Sequence, residues 1–319
     1  MNTSFLKKYQ PKYYSEFIIE QQYIDLLKTL QEMDNLNILV IGDNGCGKTS
    51  ILEATINEYY KGIDLKQKDD YVLYINNLQE QGIQYYRNEL KTFCQTKTNL
   101  NGKKKFIVLD DLDLINEQSQ QVFRNCLDKY SHNVNFICSC LNTQKVIDSI
   151  QSRCTLIKVK PIKRKYLLEI AKNIKTKEKI NITNKAIEFI LDISNKSIRQ
   201  ILNYLEKFKI LDKKIDIKEA KGICTNISFI ELELLTKYCF IEKNLKKAIE
   251  TIFVINDKGY SVMDILDCYF SYIKTTKLIP DTIKYKTIKI LCKYICIFHT
   301  KHEHSIELVL FIDELIKIK

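Results

Sequence analysis

The sequence predicts an α/β core built on a parallel sheet, followed by two helical domains. Three observations carry that prediction. Five continuous apolar runs, residues 37–41, 71–75, 105–109, 134–139 and 155–159, alternate with helical stretches before Pro161. Beyond Pro161 the pattern is helical throughout, as in KAIEFILDIS and KSIRQILNYLEKF. Gly42, Gly45 and Gly47, three of only eight glycines, cluster directly after the first run.

Each element follows from a physical requirement. Strands apolar at every position, rather than at alternate ones, suit a parallel sheet covered on both faces. Helical periodicity after Pro161 predicts a small helical domain over 161–226 and a second one over 227–319, behind a core of 1–160. A chain of 319 residues has room for two or three domains and buries a core without disulfides or a structural metal.

Composition narrows the function classes. Hydrophobic residues at 45% and charged residues at 28% exclude wholesale disorder. No apolar run has the length of a membrane span, and the start MNTSFLKKYQPKYY has no secretory segment, so a soluble, intracellular protein without a membrane partner is expected. The eleven cysteines form no CxxC pair and sit mostly in apolar stretches such as FICSC and KYICIF; they read as buried free thiols. The net charge of +11 is divided unevenly, +1 over residues 1–160 and +10 over 161–319. A basic total admits a nucleic-acid partner, but scattered lysines serve equally as solvated surface, so charge alone decides nothing.

The glycine cluster is the most specific signal. Gly42-Asp43-Asn44-Gly45-Cys46-Gly47-Lys48-Thr49 fits GxxxxGK[ST] without a mismatch, after a predicted strand and before the helical ILEATINEYY. Such a loop wraps phosphates with backbone N–H groups at the positive end of a helix. Gly42, Asn44, Gly45, Cys46, Gly47, Lys48, Thr49 and Ser50 are the expected nucleotide-binding residues; Lys48 reaches the β- and γ-phosphates and the Thr49 hydroxyl holds Mg²⁺. Cys46, inside the loop at a helix N-terminus, could act as a redox switch, but reads chiefly as a small space-filling residue.

The second signal is Phe106-Ile107-Val108-Leu109-Asp110-Asp111-Leu112-Asp113, an apolar strand ending in carboxylates. There Asp110 can hold Mg²⁺ and Asp111 can orient the attacking water. The third is scarcity: lysine outnumbers arginine 45 to 5, so arginine should persist where a planar guanidinium is required. The five are Arg87, Arg124, Arg153, Arg164 and Arg199, of which Arg153 and Arg199 could aim at phosphate from different directions.

With these residues in place, the chain resembles the AAA+ clamp loaders, and within them the small subunits of replication factor C, over nearly its whole length. The family's KYRPK arm appears as Lys8-Tyr9-Gln10-Pro11-Lys12. Residues Tyr74-Ile75-Asn76, Gln81-Gly82-Ile83 and Lys91-Thr92-Phe93 resemble its LNASDERGI…KTF stretch. Asp110–Asp113 stands at the Walker B position, followed by Gln121-Val122-Phe123-Arg124, and Asn142 matches the sensor 1 asparagine. Ser152-Arg153-Cys154 is the SRC motif, Ser197-Ile198-Arg199 lies where the sensor 2 arginine is found, and Asp257–Ser261 is similar to the start of a collar helix.

The resemblance implies an AAA+ P-loop core, a helical lid and a helical collar that holds a five-membered ring. It implies ATP and Mg²⁺ as cofactors, with other clamp-loader subunits, a sliding clamp of the PCNA type and primer–template DNA, bound without sequence specificity, as partners. Tyr9 and Pro11 join the nucleotide-binding set. Asp111, Asn142, Arg153 and Arg199 form the catalytic set: Arg199 acts on its own subunit's nucleotide and Arg153 acts as an arginine finger in the neighbour's site. The helix after Gly82 would present one end to the clamp, and Arg87 and Arg124 are candidates near the DNA. A nucleus or a viral or cytoplasmic replication site is the implied compartment.

Three departures matter. Asp111 replaces the family's glutamate and is one methylene shorter, so hydrolysis at its own site is expected to be slow or absent while binding survives. Gln10 and Gln81 each replace an arginine. Asn195-Lys196-Ser197 stands where a Gly-Asp pair is usual. Two alternatives stay open: a non-hydrolysing structural subunit of the same ring, or another AAA+ replication ATPase, which the short stretch after the last helical pattern disfavours. His299, His302, His304 and Glu303 read as a polar turn rather than a metal site, Lys103-Lys104-Lys105 as a solvated loop, and the nineteen tyrosines as packing.

Overall fold

A computed structural model describes residues 3–17, 21–63, 68–75, 83–96, 98, 102–224, 227–298 and 303–318. Five parallel strands form one sheet: β1 (Ile38–Ile41), β2 (Val72–Ile75), β3 (Lys105–Leu109), β4 (Val134–Cys140) and β5 (Thr155–Lys158), in the order β2-β3-β4-β1-β5. The predicted runs match these strands to within a residue at each end. The helices of this part are α1 (Phe5–Lys8), α2 (Gln21–Glu32), α3 (Lys48–Tyr59), α4 (Ile83–Gln95), α5 (Glu117–Tyr130) and α6 (Asp148–Gln151).

Two apolar clusters explain why the strands are apolar at every position. Ile38, Val40, Phe106, Val108 and Ile137 pack with Leu52, Ile56 and Tyr59 of α3. Their alternates Leu39, Ile107, Leu109, Phe136 and Cys138 pack with Leu90 of α4 and Phe123 and Leu127 of α5. Side chains alternate across a strand, so burial on both faces removes the polar half of the pattern. Lys105 departs from expectation. It is 3% exposed and opens β3, with Nζ donating to Phe93 O at 3.2 Å and Thr96 Oγ1 at 2.5 Å, so it is not part of a solvated loop.

The helical remainder runs from α7 (Arg164–Glu178) through α8 (Asn184–Ile193), α9 (Ile198–Leu211), α10 (Ile217–Ile223), α11 (Phe229–Thr236), α12 (Leu245–Asn256), α13 (Val262–Thr275) and α14 (Asp281–Phe298) to α15 (Ile306–Ile316). Packing groups the chain into two compact units. The first is residues 1–169 with 196–203, and the second is 170–195 with 204–319. Composition places boundaries at 160/161 and 226/227, whereas packing assigns the start of α9 to the sheet unit. Within the second unit an aromatic chain links α8 to the later helices: Phe189–Phe229 at 5.8 Å, Phe229–Tyr272 at 5.4 Å and Tyr269–Phe311 at 5.8 Å between ring centroids. Ser261 caps α13, accepting from Asp264 N at 3.0 Å, which explains the helix start read at Asp257–Ser261. Among the described residues no helix is long and apolar enough to cross a membrane.

Candidate nucleotide-binding site

The loop between β1 and α3 is fixed by its backbone. Gly45 and Gly47 have φ of +74° and +101°, a region that costs residues with a Cβ about 1–2 kcal/mol. Space adds a second constraint at Gly45: a Cβ there would lie 2.1 Å from Ser197 Oγ. A Cβ on Gly42 would meet Cys46 Sγ at 2.9 Å and Val159 O at 3.0 Å. Glycine is therefore required at 42 by close approach, and at 45 by close approach as well as by the left-handed backbone.

Lys48 is 6% exposed, and its Nζ donates to Gly42 O at 2.9 Å and Asp43 O at 3.2 Å, so the ammonium is held inside the curve of the loop. Thr49 Oγ1 donates to Asp110 Oδ2 at 2.7 Å, joining the first turn of α3 to the end of β3. Ser139 Oγ donates to the other Asp110 oxygen and accepts from Asp111 N at 3.1 Å. Ser139 was not singled out in the sequence; its signal was that it is, with Asn135, a polar residue in the otherwise apolar run VNFICS. Asn44 is exposed at the tip of the loop, and Ser50 lies partly buried in the first turn of α3.

Burial raises the Asp111 carboxyl above its ordinary range; Asp110 and Asp113 add to the rise, while Lys48 and Arg199 oppose it. Asp111 also adopts a left-handed backbone, φ 53° and ψ 53°. Asp113 is 9% exposed and its Oδ2 accepts from Leu141 N at 3.3 Å and Asn142 N at 3.2 Å. Asn142 Oδ1 in turn accepts from Gln144 N at 2.9 Å, capping the turn Thr143–Lys145. Burial raises the Cys46 thiol too, against the pull of Lys48. That favours the space-filling reading over a thiolate.

Arg199 is brought to this site. Ile198 N donates to Gly45 O at 3.1 Å, seating the start of α9 on the loop. Asn195 and Lys196, at the Gly-Asp position, take φ of 47° and 64°, the conformation a glycine would adopt without cost. Arg153 is held elsewhere: its Nε donates to Asp128 Oδ1 on α5 and its Nη1 to Ser149 O at 2.8 Å. Arg124 Nε lies 3.3 Å from the second Asp128 oxygen.

The N-terminal arm lies along α3. Gln10 Nε2 donates to Glu53, Asn57 Nδ2 donates to Lys12 O at 3.0 Å, and Lys61 Nζ sits 5.6 Å from the Tyr13 ring centre. Glu53 and Asn57 are four residues apart on one stripe of α3, and Lys61 lies just beyond the end of that helix. Tyr9 packs edge-on against Phe5 at 5.6 Å, and Pro11 is partly buried. Gln120 is a further residue the sequence reading missed. It is fully buried, its Nε2 donates to Ile115 O and Lys145 O, both at 2.9 Å, and its Oε1 accepts from Ile147 N at 2.9 Å. Asn76, Gln81, Gly82, His299 and His302 lie outside the described residues, as does the Arg87 side chain. Glu303 Oε1 accepts from Met263 N at 3.2 Å, and no group of three metal-ligating side chains occurs among the described residues.

The comparisons with known proteins agree with this geometry. Residues 38–161 match the ATPase family associated with various cellular activities (AAA), and residues 230–294 match the replication factor C C-terminal domain. The chain therefore carries an AAA domain followed by a replication factor C C-terminal domain. It is 28% identical over 291 residues to replication factor C subunit 4 of Schizosaccharomyces pombe, covering 89% of this chain and 82% of that protein. It is 27% identical to the replication factor C small subunit of Methanococcus vannielii, covering 83% and 84%. Two solved structures share the fold. RuvB of Thermotoga maritima gives a TM-score of 0.54 at 13% identity over 78% of this chain and 86% of its own. A DNA polymerase III gamma subunit-related protein of the same organism gives 0.53 at 16% identity over 91% and 98%.

The donor set suits a magnesium-bound triphosphate: loop N–H groups, a buried lysine, and a hydroxyl–carboxylate pair, Thr49 and Asp110, that would hold the cation.

Proposed function

We propose that this chain is an ATP-binding small subunit of a replication factor C-like clamp loader. It works in a five-membered ring that opens a PCNA-type sliding clamp and places it on primer–template DNA without reading sequence. Gly45, Gly47, Lys48 and Thr49 would hold the phosphates, and Thr49 with Asp110 the Mg²⁺. Tyr9 and Pro11 would join the nucleotide-binding set, and the core, lid and collar would divide near residues 160 and 226. Bound Mg-ATP supplies the free energy of phosphoryl transfer to water. The residues of this chain orient it: Lys48 and Arg199 place positive charge along the phosphates, Asn142 and Asp111 fix the water, and Ser139 holds Asp110 toward Thr49.

The observation that supports the reading best is the division of the arginines. Arg199 belongs to the loop's own electrostatic field, acting on Asp111, whereas Arg153 is built into a different surface, on Asp128 and Ser149. A subunit whose finger serves its neighbour needs that division. A second reading, a subunit that binds ATP without hydrolysing it, is favoured by the short Asp111 side chain on its left-handed backbone. Both readings place the protein at a replication site, nuclear or in a cytoplasmic or viral compartment.

The test is to tag the full chain, recover the complex that forms on it, and measure ATP turnover with Arg153→Ala and with Asp111→Ala. Turnover lowered by both supports the hydrolysing subunit, and turnover lowered by Arg153→Ala alone supports the structural one. A chain that recovers no related subunit and no ring-shaped clamp contradicts both.

A further inference from the structure

Two of only five arginines in a chain with 45 lysines meet at one aspartate. Asp128 receives Arg153 Nε on one oxygen and stands 3.3 Å from Arg124 Nε with the other. Arg124 comes from one turn earlier on the same helix, and Arg153 from just past α6. Ser149 O and Ser152 Oγ, at 2.8 Å and 3.3 Å, accept from Arg153 Nη1. Of the five N–H groups of that guanidinium, three are therefore held by this chain. The pair on Nη2 has no acceptor among the described residues.

We propose that Asp128 is the positioning residue for Arg153. It fixes the guanidinium plane, so that the Nη2 edge faces outward, and keeps Arg124 beside it as a second positive charge. The proposal rests on the reading that Arg153 acts on a neighbouring subunit's nucleotide. An arginine on a short surface turn samples many rotamers, and a finger works only when its donors already stand where charge develops. Asp128 supplies that order while leaving the cluster positive, one carboxylate against two guanidinium groups. A bidentate grip on Nη2 would cancel the function, whereas a grip through Nε and Nη1 does not. Ion pairs this exposed, with side chains 32% and 38% accessible, contribute little to stability. Stabilising the fold alone therefore does not account for the arrangement.

The test uses the complex recovered on the tagged full chain, assayed for ATP turnover with Asp128→Asn, Asp128→Glu, Arg153→Ala and the Asp128→Asn/Arg153→Ala double variant. Asp128→Asn is expected to lower kcat by about tenfold with KM unchanged, and Asp128→Glu to restore most of it. The double variant should be no worse than Arg153→Ala alone, and thermal midpoints should stay level. Normal turnover in Asp128→Asn beside an impaired Arg153→Ala overturns the proposal and leaves the finger reading standing. So does a double variant in which the two losses multiply. A silent Arg153→Ala overturns the finger reading itself, and the positioning role with it.

Discussion

Asp113 and Asn142, 29 residues apart, are joined by a partly buried hydrogen bond from the Asn142 backbone N–H to Asp113 Oδ2 at 3.2 Å, and Leu141 N donates to the same oxygen at 3.3 Å. The end of β4 is thus set by a carboxylate from the turn that follows β3, and the position of Asn142 depends on it. Asp113→Ala leaves two backbone donors without that acceptor. The expected cost is about 2–4 kcal/mol, a fall in Tm of roughly 5–10 °C in the sheet unit. Asp113→Asn, which keeps one acceptor oxygen, should lose less than half as much. Thermal unfolding of the three proteins checks the order.

Gly45 and Gly47 share a left-handed backbone but differ in surroundings. A Cβ on Gly47 meets nothing within 4 Å, whereas one on Gly45 strikes Ser197 Oγ. Gly47→Ala should cost about 1–2 kcal/mol from the backbone alone, and Gly45→Ala more. Ser197→Gly should recover part of the loss in Gly45→Ala and none in Gly47→Ala. Denaturant midpoints of the single and double variants measure this directly.

The raised Asp111 carboxyl has a consequence for stability. A carboxyl whose pKa is higher folded than unfolded binds protons more tightly in the folded state, so its ionisation destabilises the fold as pH rises. Asp111→Asn should therefore raise Tm at pH 7. The gain should shrink as pH falls through the raised pKa and vanish below the ordinary carboxylate value. Turnover should move the other way: Asp111→Asn removes any hydrolysis at this site, and Asp111→Glu, with the family's longer reach, increases it. Melting curves from pH 4 to pH 8 test the first statement and turnover in the recovered complex tests the second.

Cys46 is 5% exposed with its thiol pushed up by burial, while Cys292 and Cys296 are exposed on α14. Brief treatment with a maleimide at pH 7 should label Cys292 and Cys296 and leave Cys46 intact, as read by peptide mass mapping. Rapid labelling of Cys46 would mean that its thiolate is populated, as a redox switch requires.

The sheet was legible because each strand is buried on both faces, which leaves a local pattern that needs no partner to be read. The loop was legible because its glycines, Lys48 and Thr49 lie within eight residues. What escaped was pairing across distance. Ser139 shows only as a polar interruption in a strand, and its bond to Asp110 exists because β3 and β4 are neighbours. Gln120 gathers groups from 5 to 27 residues away, and Asp128 collects an arginine 25 residues downstream; neither leaves a local signature. Lys105 was misread for the same reason, since its carbonyl and hydroxyl acceptors come from the end of α4.

The most direct test of the central claim is equilibrium binding of Mg-ATP to the purified full chain, compared with Lys48→Ala and Asp110→Ala. Saturable binding in the wild type, lost or weakened at least about a hundredfold in Lys48→Ala and made magnesium-independent in Asp110→Ala, is the predicted result. Equal binding by all three proteins, or none by the wild type, would contradict it.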